Sequence, residues 1–550
     1  MRNTFLFFFL LIVASSQAQK LKKEDKQVIT NLQKHIEVLA SDSLEGRRTG
    51  TPGEQKAIAY ISNEFKSIGL LPKGTTGFYQ PFEIDEGKQV SSATRLIVGG
   101  ESLVLNQHFI PFAFSAGNSV EALPSMAIQE LGMPWFIDLK ETLESNAGNP
   151  HFDIYGFVKT KVKEVKEKGA TALFLYNTSA AEDEIEFITK DRSAPAPIPV
   201  VYLTKEGVKK YFNDPQATLD INMKIDIVPK KRSGTNVVGW IDNKTKNTVI
   251  VGAHFDHLGY GEDENSLEGS NKQIHNGADD NASGVAAMIE LARMLQASDL
   301  KQNNYLFVAF SGEELGLQGS KYFVQHPTID LGSANYMINL DMVGRINDAS
   351  PTITVGGFGT SPSWVSTYAT TGKKGIYKGP LLFKFDSSGT GPSDHTSFYL
   401  KNIPVLFYFT GVHSDYHKPS DDFNKINYPG ELMVLKHIYS VIELEDKNNN
   451  KLVFTKTKET NSALASFNVT LGIMPDYSFN GSGVRVDAVS ENRPAQKAGI
   501  KPGDVIVQLG DRNVQSLEQY MQALGDFKKG DKTVVYFNRV NEKLSAPIEF

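Results

Sequence analysis

Five short segments carry side chains able to hold metal ions or move protons. They are AHFDHLG with His254, Asp256 and His257, GADDNASG with Asp279 and Asp280, SGEELG with Glu313 and Glu314, NLDMVGR with Asp341, and SDYHKPSDD with Asp415, Tyr416, His417, Asp421 and Asp422. Taken singly, each has a plain reading. An Asp or His after a strand caps a helix or turns in solvent, and Asp-Asp-Asn-Ala-Ser-Gly can simply start the helix that follows it. Their recurrence points elsewhere. Carboxylates and imidazoles lie where successive apolar strands end, and groups gathered there would repel or lose solvation unless a cation sat among them.

The residue types fit a pair of divalent ions. Two such ions about 3.5–4 Å apart need a shared anionic bridge, and a carboxylate has two oxygens with which to make one. Neutral imidazole and carboxylate suit zinc. An Asp two residues beyond a ligating His can accept the other ring N–H and fix the tautomer. A Glu beside a ligand can serve as general base. The chain has no cysteine, which removes disulfides, thiol catalysis and thiolate ligands, so any metal must be held by His, Asp and Glu. A net charge of −6 leaves no basic excess for phosphates and argues against a nucleic-acid partner.

The elements around these segments alternate. VIVGA from Val249, YLFVAF from Tyr305, ANYMINL from Ala334 and IPVLFYF from Ile403 read as buried strands. Helical spacing of Val285, Met288, Ile289, Ala292 and Leu295 predicts a helix over 283–297, and further helices are expected over 317–325 and 430–445. Residues 27–69 read as two helical segments around a loop that starts at Ser41. The alternation predicts an α/β fold with a doubly wound, mostly parallel sheet, whose site lies beyond the carboxyl ends of its strands.

In order and type, the motifs AHFDHLG, GADDNASG, SGEELGLQGS, NLDMVGR and YHKPSD resemble those of family-28 metallopeptidases, the di-zinc aminopeptidases of the bacterial leucyl aminopeptidase type. LEGRRTGTPGEQKAIAYI, from Leu44, is similar to the start of such enzymes. The resemblance implies two zinc ions bridged by Asp279, with His254 and Asp341 completing one site and Glu314 and His417 the other. It implies that Asp256 orients His254, that Glu313 is the general base acting on a metal-bridging hydroxide, and that Tyr416 stabilises the oxyanion. It also implies a cis peptide between Asp279 and Asp280. Asp394 and His395 are expected to line the pocket, and His257 and His275 to be loop groups. The activity implied is release of amino-terminal residues from peptides. A carboxypeptidase, dipeptidase or one-zinc glutaminyl cyclase on the same fold, or a non-catalytic peptide receptor, is the alternative.

The domains expected are a signal peptide over 1–18, a catalytic domain over 19–94 and 229–450, a β-rich insert over 95–228 and a C-terminal unit over 458–550. The insert resembles a protease-associated domain through KEKGATALFLYN and PIPVVYLTKEG. The C-terminal unit resembles a PDZ domain through VTLGIMP and RPAQKAGIKPGDVIVQLGDRNV, which implies capture of a peptide or protein tail. Arg2, the apolar run from Phe5 to Ala14 and Ser16-Gln17-Ala18 predict a secretory leader, hence export to the periplasm or beyond, and no membrane span is expected.

Overall fold

A computed structural model of the chain describes residues 22–550 apart from 147–151, 181–184, 190, 192, 264, 269–271, 371–379, 458–468, 476–481, 490–492, 516 and 541. The expected leader therefore lies outside the described residues. Among those described, no helix is long and apolar enough to cross a membrane. Contacts divide the chain into one unit built from residues up to Phe82 and from Ser233 onward, and a second over Glu83–Arg232.

The first unit contains the expected sheet. Eight of its nine strands are β1 (Leu71–Pro72), β2 (Ile227–Ile241), β3 (Thr248–His254), β4 (Asn304–Phe310), β5 (Ala334–Leu340), β6 (Thr352–Gly356), β7 (Leu382–Phe385) and β8 (Val405–Phe409), and the ninth, Tyr79–Val90, pairs with β2 off the main order. They run in the order β1-β2-β4-β3-β5-β8-β6-β7. β3 lies parallel between β4 and β5, and β8 continues parallel beside β5. β2 joins β4 antiparallel, and β6 joins β8 antiparallel, so the sheet is parallel at its centre and reversed towards its edges.

Alternation along the central strands decides which residue enters which core. Val249, Val251, Tyr305, Phe307, Tyr336 and Ile338 belong to one buried cluster, while their neighbours Ile250, Leu306, Val308 and Met337 belong to another. Side chains of consecutive strand residues point to opposite faces, so near-continuous apolar runs are what a sheet covered on both sides requires. On the first face pack α1 (Lys23–Leu39), α2 (Pro52–Ile68), α3 (Gly284–Gln296) and α5 (Tyr428–Asn448), through Ile36, Phe65, Met288 and Ile438 among others. On the second, Phe323 of α4 (Gln318–Gln325) and Phe398 cover β4 and β5.

The start of α2 follows from its sequence. Thr51 caps Glu54 N–H, Pro52 opens the helix with the φ that its first turn needs, and the Glu54 carboxylate accepts the Gly50 N–H at 2.7 Å. Gly69, at φ 89°, ends it in the left-handed conformation that glycine adopts without strain.

The second unit has two four-stranded sheets. One orders Glu101–Ser102, Arg95–Val98, Ile221–Lys224 and Ser119–Ala122, and the other Phe109–Pro111, Val200–Leu203, Leu173–Tyr176 and Trp135–Asp138. The C-terminal segment forms a six-stranded sheet with the helices Pro494–Lys497 and Leu517–Leu524. Its apolar cluster, with Leu471, Ile506, Val535 and Phe537, draws every member from residue 469 onward. The segment before it belongs to the larger sheet's surroundings: Leu452 sits in the main core, Thr455 N–H donates to Thr360 O at 2.8 Å, and Thr457 N–H donates to the Tyr399 hydroxyl at 3.0 Å.

A chain cut after Thr457 keeps these anchors and loses only residues outside the main core. Its α/β domain is expected to melt within about 2 °C of the full-length value, since ~1 kcal/mol moves Tm by roughly 2–4 °C in a domain of this size. Calorimetry of the two chains checks this, and a large drop would show that the C-terminal unit supports the α/β domain.

Candidate metal centre and active site

The parallel strands deliver the reactive residues to one end of the sheet. His254 is the last residue of β3, Asp341 follows β5 directly, Glu313 and Glu314 lie in the turn after β4, and His417 lies in the loop after β8. Asp280 comes from the distorted turn Ala278–Ser283 ahead of α3. This is the place a parallel α/β sheet reserves for chemistry, because successive loops converge there.

The Asp280 carboxylate lies between two sets of donors. Its Oδ1 is 3.4 Å from His254 Nε2, which is also 3.4 Å from Asp341 Oδ1. Its Oδ2 is 3.3 Å from His417 Nε2, which is 3.2 Å from Glu314 Oε2. His257 joins the second set: its ring is buried, with Nδ1 2.9 Å from Glu314 Oε1 and 3.9 Å from Asp280 Oδ2. Two groups, His254–Asp280–Asp341 and His257–Asp280–Glu314, bring one donor atom per residue within 4.8 Å of one another and share Asp280.

This corrects the assignment of the bridge to Asp279. The turn is extended at Asp280, with φ −102° and ψ 94°, so the two successive carboxylates diverge. Asp279 turns away from the shared position. Its Oδ1 accepts from Gly344 N–H at 2.7 Å and the Ser283 hydroxyl at 3.0 Å, and its Oδ2 lies 3.2 Å from His413 Nε2. The cis peptide is displaced by the same one residue, to Asp280–Asn281. Sequence could not separate two adjacent aspartates, since only the backbone of the turn decides which one faces the strand ends.

The other predicted residues occupy distinct places. Asp256 Oδ1 lies 3.8 Å from His254 Nδ1, whose nearer partner is the Asp256 carbonyl at 3.2 Å. The same carboxylate accepts from Glu313 N–H at 3.1 Å and from the Thr49 hydroxyl at 3.0 Å, so it ties the β3 and β4 turns together. Burial pushes its carboxyl up to about 6. The Tyr416 ring stacks on His417 at a centroid distance of 3.9 Å. His275 stays apart, bonded through Nε2 to the Ser266 hydroxyl at 2.7 Å.

Glu313 stands beside these groups without belonging to either set. Removal from water, then the Asp394, Glu314 and Asp341 carboxylates, hold its carboxyl well above the usual range, while His254 pulls it down. Asp394 is buried and pushed up to about 7, chiefly by desolvation. A buried carboxyl beside paired ligand sets is a candidate for proton transfer.

Asp421 has a role its spacing did not reveal. Its Oδ2 accepts the N–H groups of Asp279 and Asp280, each at 3.0 Å, and its carbonyl accepts Ala278 N–H at 3.1 Å. The loop that carries His417 is thereby bound to the turn that carries Asp280.

Residues 236–442 match Peptidase family M28, and residues 448–550 match a PDZ domain. The chain carries a family M28 peptidase domain. An aminopeptidase of Bacillus subtilis is 27% identical over 307 residues, which are 52% of this chain and 60% of that protein. An aminopeptidase of Pseudomonas aeruginosa is 29% identical over 340 residues, 58% of this chain and 58% of that protein. The chain thus covers about three fifths of the length of these curated relatives. Among solved structures, an aminopeptidase from Aneurinibacillus sp. strain AM-1 is similar over 78% of this chain and 97% of that one, at 23% identity and a TM-score of 0.41.

The M28 domain makes the two aspartates of GADDNASG separable by substitution. Asp280→Asn is expected to abolish stable zinc binding, because it takes charge from both donor sets. Asp279→Asn keeps an acceptor for Gly344 and should weaken binding by about 10–100-fold, as loss of an outer partner does. Zinc titration of the two purified variants checks this, and the reverse ranking would return the bridge to Asp279.

Proposed function

We propose that the M28 domain is a di-zinc aminopeptidase. The observation that carries the reading is the Asp280 carboxylate, which offers one oxygen to the His254–Asp341 set and the other to the His417–Glu314 set. Carboxylates this close are poorly matched to one another without cations, and imidazole with carboxylate is a donor set that suits zinc. His254, Asp280 and Asp341 would hold one ion, and Asp280, Glu314 and His417 the other, with His257 an additional donor beside Glu314. Bound zinc supplies a Lewis acid that polarises a carbonyl and lowers the pKa of water.

The chain's own groups do the rest. Glu313 takes the proton of the attacking water on its carboxylate and returns it to the departing amine nitrogen. Asp256, which touches both the His254 segment and Glu313 N–H, keeps base and ligand in register. Tyr416, whose ring stacks on His417, would stabilise the oxyanion. Specificity for the amino end rests on two supports: the names of the relatives, and the local excess of carboxylate, which suits a free ammonium. We assign the insert a protease-associated role, the C-terminal unit the capture of a peptide tail, and the leader export out of the cytoplasm.

Glu313→Gln is expected to lower kcat by about 10²–10⁴ while zinc content stays at the wild-type level. Acetylating the substrate's amino group should lower kcat/KM sharply, because it removes the charge that the carboxylates recognise. Steady-state kinetics on matched free and acetylated peptides, with zinc assayed on the same preparations, test both. Equal cleavage of the two peptides would assign the domain to carboxyl-end or internal cleavage instead.

A further inference from the structure

The segment LEGRRTGTPGEQ contributes none of the donors above, yet it threads beneath them. Arg47 is fully buried, and all three of its side-chain nitrogens donate to backbone carbonyls. Nε donates to Phe255 O at 2.7 Å, Nη1 to Leu39 O at 2.5 Å and Asn276 O at 2.6 Å, and Nη2 to Gly277 O at 2.9 Å. Phe255 lies between His254 and Asp256, and Asn276 and Gly277 lead into Asp279 and Asp280. One guanidinium therefore grips the two segments that present His254 and Asp280, and fastens both to the end of α1.

The surrounding turn is built for this placement. Glu45, Gly46 and Arg47 take successive positive φ values of 50°, 67° and 49°. For side chains other than glycine that conformation is strained and persists only where its surroundings enforce it. Gly46 is required for space as well, since a Cβ there would lie 2.5 Å from His275 O and 2.7 Å from Gly259 O. Backbone bonds from Gly259 N–H to Gly46 O at 3.1 Å and from His257 N–H to Arg47 O at 3.4 Å dock the turn on the chain beyond β3. Next along, Thr49 donates to Asp256 Oδ2 at 3.0 Å, and the Glu54 carboxylate accepts from the Ser311 hydroxyl at 2.5 Å, two residues before Glu313.

A buried cation is costly unless paired or fully hydrogen-bonded. Here four carbonyl bonds hold it, and carboxylates lie above it: burial pulls the guanidinium down to about 10, while Asp280, Asp256, Asp421 and Glu314 act to raise it. Arg47 therefore stays charged at neutral pH. Its planar fork of donors can span carbonyls from separate segments, which a lysine ammonium on a single nitrogen cannot.

We infer that Arg47, seconded by Thr49, is a positioning residue for the metal centre: the guanidinium sets the spacing of His254 and Asp280 before any ion binds. The inference rests on the di-zinc reading above. Charge and geometry are separable, because Arg47→Lys keeps a cation and loses the fork.

The test measures zinc affinity of the full-length chain by competition with a chromophoric chelator, together with the visible spectrum of the cobalt-substituted protein. Arg47→Lys is expected to bind zinc about 10–100-fold more weakly and to show an altered cobalt spectrum. Thr49→Val, which keeps side-chain size and removes only the hydroxyl, should fall at the lower end of that range and decides the question if Arg47→Lys does not fold. Phe65→Ala, a core truncation on α2 remote from the donors, should lower Tm without changing zinc affinity or the spectrum. Wild-type affinity and spectrum in Thr49→Val and in folded Arg47→Lys would overturn the inference, as would an equal loss in Phe65→Ala. A wild-type chain that takes up no zinc would overturn the di-zinc reading itself.

Discussion

Like charges confined together out of water repel, and the α/β domain is organised around holding several carboxylates in one place. Asp256, Asp279, Asp280, Asp394 and Asp421 are all buried at one end of the sheet, with Glu313, Glu314 and Asp341 half-buried beside them. Such a cluster persists only if each member is bonded, protonated or matched by a cation. All three means are used. Asp279 and Asp421 spend their oxygens on backbone N–H groups and on neighbouring side chains, Glu313 and Asp394 have raised proton affinity, and Asp280, Glu314 and Asp341 face imidazoles.

The sheet makes that concentration geometrically possible. Parallel β3, β4, β5 and β8 end side by side, so four turns deliver His254, Glu313 with Glu314, Asp341 and the His417 loop to a common region. Burial on both faces keeps the strands from shifting, because a one-residue slip would exchange the two apolar clusters. The turns themselves are held by polar contacts. Asp421 fastens the Asp280 turn to the His417 loop, and Asp256 joins the β3 turn to the β4 turn. Left-handed backbone at Met342 and His417, with φ of 52° and 53°, marks two more positions where the chain bends to serve the site.

The remaining parts of the chain are built on separate cores. The strands and helices of Glu83–Arg232 surround two apolar clusters of their own, and the PDZ domain surrounds another. Among the described residues, both donor sets are drawn from positions 254–417. Helix α5 extends to Asn448, and the chain beyond it stays anchored to the peptidase core through Thr457. Backbone donors such as Thr455 and Thr457 N–H find partners on that surface without any apolar signal in the sequence.

By itself the sequence determined the fold class, the four parallel central strands, the helices α1 to α5, and the segments that meet at the strand ends. Apolar runs, helical spacing and residue type are local properties, and they are written in the order of the chain. Tertiary structure alone decided which of two adjacent aspartates is shared between the donor sets, because that depends on the φ and ψ of a single turn. It brought in His257, whose ring points at Glu314 although a histidine three residues past His254 looks like part of a loop. It also gave Arg47 its place. Nothing in LEGRRTG distinguishes a surface arginine from one whose three nitrogens close on carbonyls at 39, 255, 276 and 277, since three of those partners are more than 200 residues away and meet it only when the sheet has formed.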